Sequence, residues 1–270
     1  MKAAFAYLRR AMVVGEFMDS LVDLLAYEQA LPAAERVFDL RVIRHKSPPY
    51  PNLGRRKLVR KFLAECPDAE VLVIVDDDAQ FEPWQPGALA SLVSEARPVV
   101  QALYFSYDEA QGGVRPIVLK RKPDGSLGTI WHYEPNTMKP VDSIGTHFVA
   151  IHRTALEDWR RLRGETWFDY GTRPNGDFAL EDEAFAVRML ELGHPLYVHT
   201  GIHVQHWKLG PKGQQDYVVP NGPESEIERF FATASKEEID AQLQKANFDY
   251  YNKIGTDILP PREAPDNIPR

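Results

Sequence analysis

Apolar residues recur along the first third of the chain in two alternating rhythms. KAAFAYLR (2–9) is a short apolar run, EFMDSLVDLLAYEQAL (16–31) repeats apolar positions at helical spacing, and FDLRVIRH (38–45) is strand-like before the proline-rich SPPYP. LGRRKLVRKFLAEC (53–66) is helical again, with Leu58, Val59, Phe62 and Leu63 on its apolar face. Pro67 and Asp68 close that helix before the strand VLVIV (71–75). Strands alternating with helices predict an α/β fold in which helices cover a parallel sheet. A strand buried on both faces also explains why VLVIV is apolar throughout.

Beyond residue 78 the rhythm changes. PVVQALYFSY (98–107), the turn EAQGG, VRPIVLKRK (114–122) and the turn PDGS read as hairpin-linked strands, which makes the expected sheet mixed. VDSIGTHFVAIHR (141–153) predicts a strand leading into a short helix, TALEDWRRL (154–162), and WFDYGTRPNGDF (167–178) reads as a functional loop. LEDEAFAVRMLELG (180–193) is helical with Gly193 as its C-terminal cap, and YVHTGIHV (197–204) is strand-like. The rest is polar, with one expected helix (224–246) and an extended tail, PPREAPDNIPR (260–270). We therefore expect one α/β domain over residues 1–215, followed by a helix and proline-rich tail over 216–270.

Composition narrows the function classes. A chain of 270 residues, 44% hydrophobic, can bury a sizeable core. No run approaches the roughly 18 apolar residues of a membrane helix, and Arg9 and Arg10 interrupt the N-terminal apolar stretch, so a cytoplasmic protein is expected. The single cysteine, Cys66, allows no internal disulfide. A net charge of -7 argues against a protein that coats nucleic acid, while leaving room for one local basic patch.

Three aspartates, Asp76, Asp77 and Asp78, follow VLVIV directly. Ligands of open α/β sheets bind beyond the carboxyl ends of the strands, where these residues fall. Strand alternation sends Asp76 and Asp78 to one side and Asp77 to the other. Two carboxylates on one side repel unless a cation lies between them, and oxygen ligands at this spacing suit Mg²⁺ or Mn²⁺. A solvated acidic turn is the alternative, for which one aspartate would suffice.

VLVIVDDDAQFEP resembles the DXD region of metal-dependent GT-A-fold glycosyltransferases, particularly a compact group common in phage and bacterial genomes. Three further segments agree in order. LGRRKLVRKFL resembles the family's Arg-Asn helix, with Arg55 at the arginine position and Arg56 in place of asparagine. LEDEAFAVRMLELG resembles its Glu-Asp helix, and YVHTGIHVQHWK its late strand ending in a metal-binding histidine, here His206. The resemblance covers roughly residues 2–210. It implies a GT-A-like, Rossmann-type mixed sheet with helices on both faces and transfer of a sugar from a nucleotide-sugar, UDP- or GDP-linked, to a hydroxyl acceptor. Asp76, Asp78 and His206 would hold Mn²⁺ or Mg²⁺. Asp76 would also reach the donor, with Asp77, Arg9, Arg55, Lys208 and Lys212 as further donor-side residues. Gly145, His147 and Trp167 would lie on the acceptor side, with Asp182 and Glu181 as the catalytic carboxylates.

Rival readings accompany several of these residues. An inverting enzyme needs a carboxylate base such as Asp182, and a retaining one does not. Glu181, Asp182 and Glu183 also suit the first turn of a helix, where each acid adds about 0.3 to 1 kcal/mol through the macrodipole. Lys208 and Lys212 read either as a lid over a diphosphate or as a solvated loop. Arg55, Arg56, Lys57, Arg60 and Lys61 read mostly as a solvated helix face, and Trp167 either as a stacking platform or as a core anchor. A nucleotidyltransferase on the same fold would usually carry a glycine-rich loop after the first strand, which AYLRRAMVVGEF lacks. A zinc hydrolase built on His199, His203 and His206 would require a helix where Gly201 and Pro195 favour a strand.

Overall fold

The computed structural model describes residues 1–212 except 11–12, 47–49, 109–112, 124, 174–175, 177 and 208–210. The expected C-terminal helix and tail, and Lys208, lie outside the described residues.

The first half alternates as its periodicity predicts: β1 (Ala3–Arg9), α1 (Gly15–Ala30), β2 (Val42–Lys46), α2 (Pro51–Glu65), β3 (Val71–Asp76), the short β4 (Ala79–Gln80) and α3 (Gln85–Leu92). β5 (Val99–Leu103) follows, then the hairpins β6 (Phe105–Asp108) with β7 (Gly113–Pro116) and β8 (Leu119–Arg121) with β9 (Leu127–Thr129). The last stretch holds β10 (Met138–Val141), β11 (Phe148–His152), α4 (Arg153–Arg163), β12 (Gly171–Thr172), β13 (Phe178–Ala179), α5 (Glu181–Glu191), β14 (Leu196–His203), β15 (Gln205–Trp207) and β16 (Pro211–Lys212).

Seven strands form the main sheet in the order β10-β14-β5-β11-β3-β1-β2. β2, β1 and β3 run parallel, β11 is antiparallel to both β3 and β5, and β14 returns parallel to β5. One face packs on α2, α4 and α5 through Leu58, Phe62, Trp159 and Phe185; the other packs on α1 and α3 through Phe17, Leu24 and Leu89. Val71 to Val75 contribute alternately to the two cores, which is why that run carries no polar residue. The fold is the Rossmann-type mixed sheet with helices on both faces that the sequence led us to expect. No helix among the described residues is long and apolar enough to cross a membrane.

Two element boundaries moved for local reasons. The strand expected from Phe38 begins at Val42, because Val37, Phe38 and Asp39 donate their backbone N–H groups to the buried Glu28 carboxylate of α1 (2.9–3.3 Å). Asp39 and Leu40 then turn through positive φ (48° and 59°). The strand expected over 141–153 splits into the end of β10 and β11, separated by a bend that includes Gly145 and His147.

Candidate metal centre

The aspartates sit at the carboxyl end of β3, near the middle of the sheet. Strand pairing brings their partners to them. β11 runs antiparallel to β3 with Phe148 opposite Val75, so the next residue out, His147, meets Asp76, whose N–H donates to the His147 carbonyl (2.9 Å). β15 pairs with β4, setting His206 opposite Ala79, and the Trp207 N–H donates to the Asp78 carbonyl (2.8 Å). On β1, Leu8 is in register with Asp76, so two residues further on Arg10 meets Asp78.

Asp78, His147 and His206 are all buried and offer ligand atoms within 4.8 Å of one another. His147 Nδ1 is 3.4 Å from Asp78 Oδ1, and His206 Nε2 is 3.6 Å from Asp78 Oδ2. The first separation leaves both atoms buried with no hydrogen-bond partner. Buried polar atoms are almost always satisfied, and two such atoms facing each other across a pair of imidazoles and a carboxylate fit the donor set of a cation site. With two imidazoles and one carboxylate, this group is less hard than the expected set of Asp76, Asp78 and His206, because His147 takes the place of Asp76.

The other aspartates are otherwise engaged. Arg55 donates to both oxygens of Asp76 (2.9 and 3.0 Å) and, through its second terminal nitrogen, to Glu181 (2.8 Å). Asp76 also lies 3.8 Å from His147 Nδ1. Asp77 accepts from the Arg10 backbone N–H and Nε, so one guanidinium holds both Asp77 and Asp78. Arg10, half exposed, completes the edge by reaching Asp78 at 2.7 Å.

Charge and burial set the ionisation of these groups. Burial opposes the Asp78 carboxylate, but His147, His206 and Arg10 overcome it and hold the group well below the usual range. Burial likewise opposes a charged His147, and the Asp76 and Asp78 carboxylates reverse that, so its pKa is raised. Asp76 is kept low by Arg55 despite burial, whereas burial prevails at Asp77 and raises it.

Across Arg55 lies α5. Burial, and then the Glu181 charge, push Asp182 up to about 7, against the pull of Arg55. The Asp182 carboxylate accepts one bond, from the Glu183 N–H (2.8 Å). Between the two carboxylate groups stands Tyr104, at the end of β5. Its ring packs on His147 (4.8 Å between centroids) and edge-on to His206 (5.9 Å), and burial followed by Asp182 and Asp76 raises its phenol. A Cβ at Gly145 would lie 1.7 Å from the Tyr104 hydroxyl, so glycine there admits the phenol.

Several expected site residues are placed elsewhere. Arg9 is exposed at the end of β1 and makes none of the aspartate contacts, which belong to Arg10. Trp167 is fully buried and donates to the Leu156 carbonyl (2.9 Å), which makes it a core anchor and removes it from any ligand surface. The basic face of α2 is only partly solvated: Arg55 is buried, and Arg56 and Arg60 pair with Asp169 and Glu165. Lys212 is placed by its backbone pairing with His206. His199 and His203 lie on β14, a strand, and neither joins the group around Asp78. Tyr104 carried no sequence signal apart from its place at a strand end. Arg10 could have been found by extending the β1–β3 register two residues past Asp76.

Comparison with known proteins places the chain by fold. No protein-family model matches it, and no curated protein is similar to it in sequence. The crystal structure of A197 from STIV superposes with a TM-score of 0.51 at 17% identity, over 83% of this chain and 96% of that one. Lower similarity is found to GalNAc-T7 with UDP, GalNAc and Mn²⁺ (TM-score 0.48, 10% identity, 76% of this chain and 44% of that one). It is also found to CMP:2-keto-3-deoxy-manno-octonic acid synthetase complexed with CTP (0.39, 12%, 75% and 90%).

Proposed function

We propose that the protein is a metal-dependent glycosyltransferase that moves a sugar from a nucleotide-sugar to a hydroxyl acceptor. The observation that carries this reading is the buried Asp78, His147 and His206 group with its two orphaned atoms, set at the carboxyl end of a central parallel strand. Those three residues would hold the ion. Bound there, Mn²⁺ would neutralise a diphosphate leaving group and stabilise the charge that develops on it. The remaining roles belong to side chains of the chain itself.

Asp182, with a pKa near neutrality, suits a base that accepts the proton of an attacking hydroxyl, as inversion at the sugar carbon requires. Arg55 is a positioning residue: its guanidinium ties Asp76 on the metal side to Glu181 beside the base. Arg10 adds a half-exposed positive charge at the edge where a diphosphate would arrive. Glu181, bonded to Arg55, tunes Asp182 by its charge.

Thermal unfolding with UDP-, GDP-, dTDP- and CMP-sugars, each with Mn²⁺, Mg²⁺, Zn²⁺ or EDTA, tests the reading. A ligand at 100 times its Kd stabilises by about 2.7 kcal/mol, a shift of a few degrees in a chain of this size. The expected result is a shift that requires one nucleotide family together with Mn²⁺ and disappears in Asp78→Ala and His147→Ala. Stabilisation by Zn²⁺ alone with no nucleotide effect would overturn the proposal.

A further inference from the structure

Gln101 is a polar residue in an apolar strand. It lies in the middle of β5, between β14 and β11, opposite Val198 and Val149, and it is completely buried. The flanking Val99, Val100, Ala102 and Leu103 are all buried and apolar. Taking an amide out of water is unfavourable unless its hydrogen bonds are replaced, and a leucine or methionine fills such a space without that cost. What the amide bonds therefore explains its presence.

Both halves of the amide are used, and neither joins the sheet ladder. Nε2 donates to the Ile117 carbonyl (2.9 Å), and Oε1 accepts from the Gly145 N–H (2.7 Å). Gly145 belongs to the connection between β10 and β11, which is buried from Ser143 to His147. One end of that connection is fixed where the Asp142 N–H donates to the Leu119 carbonyl (3.0 Å), and the other where the Asp76 N–H donates to the His147 carbonyl (2.9 Å). Between those two points, the Gln101 side chain ties down the Gly145 amide.

Those two bonds reach the Asp78, His147 and His206 group by two routes. Gly145 stands two residues before His147, so its place sets the backbone that aims the His147 ring, whose Nε2 rests against the Gln205 carbonyl (3.4 Å) while Nδ1 faces Asp78. Gly145 also bounds Tyr104: the phenol hydroxyl occupies the space a Cβ on Gly145 would need, and the Tyr104 ring packs on both histidines. At the other end of the amide, Ile117 donates its N–H to the Tyr104 carbonyl (3.0 Å). Gln101 thus spans from the glycine at the Tyr104 hydroxyl to the residue that holds the Tyr104 main chain. Buried polar networks whose members are all satisfied fix one geometry. We propose that Gln101 is a positioning residue for the cation site, setting through Gly145 and Tyr104 the places of the His147 and His206 rings. The assignment rests on Asp78, His147 and His206 holding a cation, and it does not depend on sugar transfer.

Calorimetric titration of the full chain with Mn²⁺, together with the visible absorption of its Co²⁺ complex, provides the test. Gln101→Met and Gln101→Leu fill the space without hydrogen bonds and should weaken Mn²⁺ binding by about 10- to 100-fold, the usual effect of losing a group that orients metal ligands, and alter the Co²⁺ spectrum. Gln101→Glu keeps an oxygen for the Gly145 N–H and should restore the wild-type spectrum, although burying a carboxyl lowers its stability. Glu28→Gln, which loosens the turn between α1 and β2 away from the site, should bind Mn²⁺ as the wild type does. Circular dichroism checks which variants fold. Wild-type affinity and spectrum in a folded Gln101→Met or Gln101→Leu overturn the proposal, and so does an equal loss in the glutamate variant; the cation site itself survives either result. A wild type that shows no binding sensitive to Asp78→Ala overturns the cation site and the role of Gln101 with it.

Discussion

Replacing Asp182 by asparagine separates a tuned carboxylate from an ordinary helix-start acid. In the folded protein burial and the Glu181 charge raise Asp182 from 3.8 to about 7. One pKa unit is 1.36 kcal/mol, so the native environment opposes ionisation of this group by on the order of 4 kcal/mol. Between pH 4 and 7 the unfolded chain ionises while the folded chain stays protonated. The folded-state advantage is therefore complete below about pH 4, declines as pH rises through that window, and is lost above about 7. Asparagine is neutral throughout, and its Oδ1 can keep the bond from the Glu183 N–H.

Urea denaturation of wild type and Asp182→Asn in EDTA, from pH 4 to pH 8, reads this directly. The difference in stability is expected near zero at pH 4 and to grow in favour of asparagine by about 1.4 kcal/mol per unit, levelling off near pH 7.5 at on the order of 4 kcal/mol. The same variant should lose about 10²- to 10⁴-fold in transferase turnover, the usual contribution of a positioned base. Wild-type turnover should rise with an apparent pKa near 7. Parallel stability curves across the pH range would refute the assignment, because an unperturbed helix-start carboxylate gives no such divergence. A turnover loss with parallel curves would still leave the proposed tuning wrong.

Other consequences follow from the same packing. Arg55→Met should cost about 3 to 5 kcal/mol in chemical denaturation, since it strands the Asp76 and Glu181 carboxylates without their counter-charge. Gly145→Ala drives a methyl into the Tyr104 hydroxyl and should cost about 1 to 3 kcal/mol; adding Tyr104→Phe should recover part of it, because the clashing oxygen is gone. Glu28→Gln should destabilise by about 1 to 3 kcal/mol, read as a lower urea midpoint, by weakening the bonds to the Val37, Phe38 and Asp39 amides.

Which parts of this arrangement were legible in the sequence follows from the range of the forces involved. VLVIV followed by Asp76, Asp77 and Asp78 announced both a doubly covered strand and a site at its end, because burial on two faces writes itself as an unbroken apolar run. The helices α1, α2 and α5 were readable for the same reason: each repeats its buried face every three or four residues. What the sequence did not display was pairing between distant segments. His147 meets Asp76 through the register of β11 on β3, and His206 arrives through β15 on β4, so the residue completing the group with Asp78 was fixed by strand order, which no local pattern encodes. Trp167 shows the converse limit: an aromatic in a glycine-rich stretch has the same sequence signature whether it faces a ligand or, as here, seals the core under α4. Arg55 joins the two cases. Its place on a basic, amphipathic helix suggested solvent, yet the two acids that claim it, Asp76 and Glu181, lie 21 and 126 residues away in the chain. A buried arginine is tolerated only where such partners converge, so its burial marks the point where the proposed metal-side and base-side groups were folded onto each other.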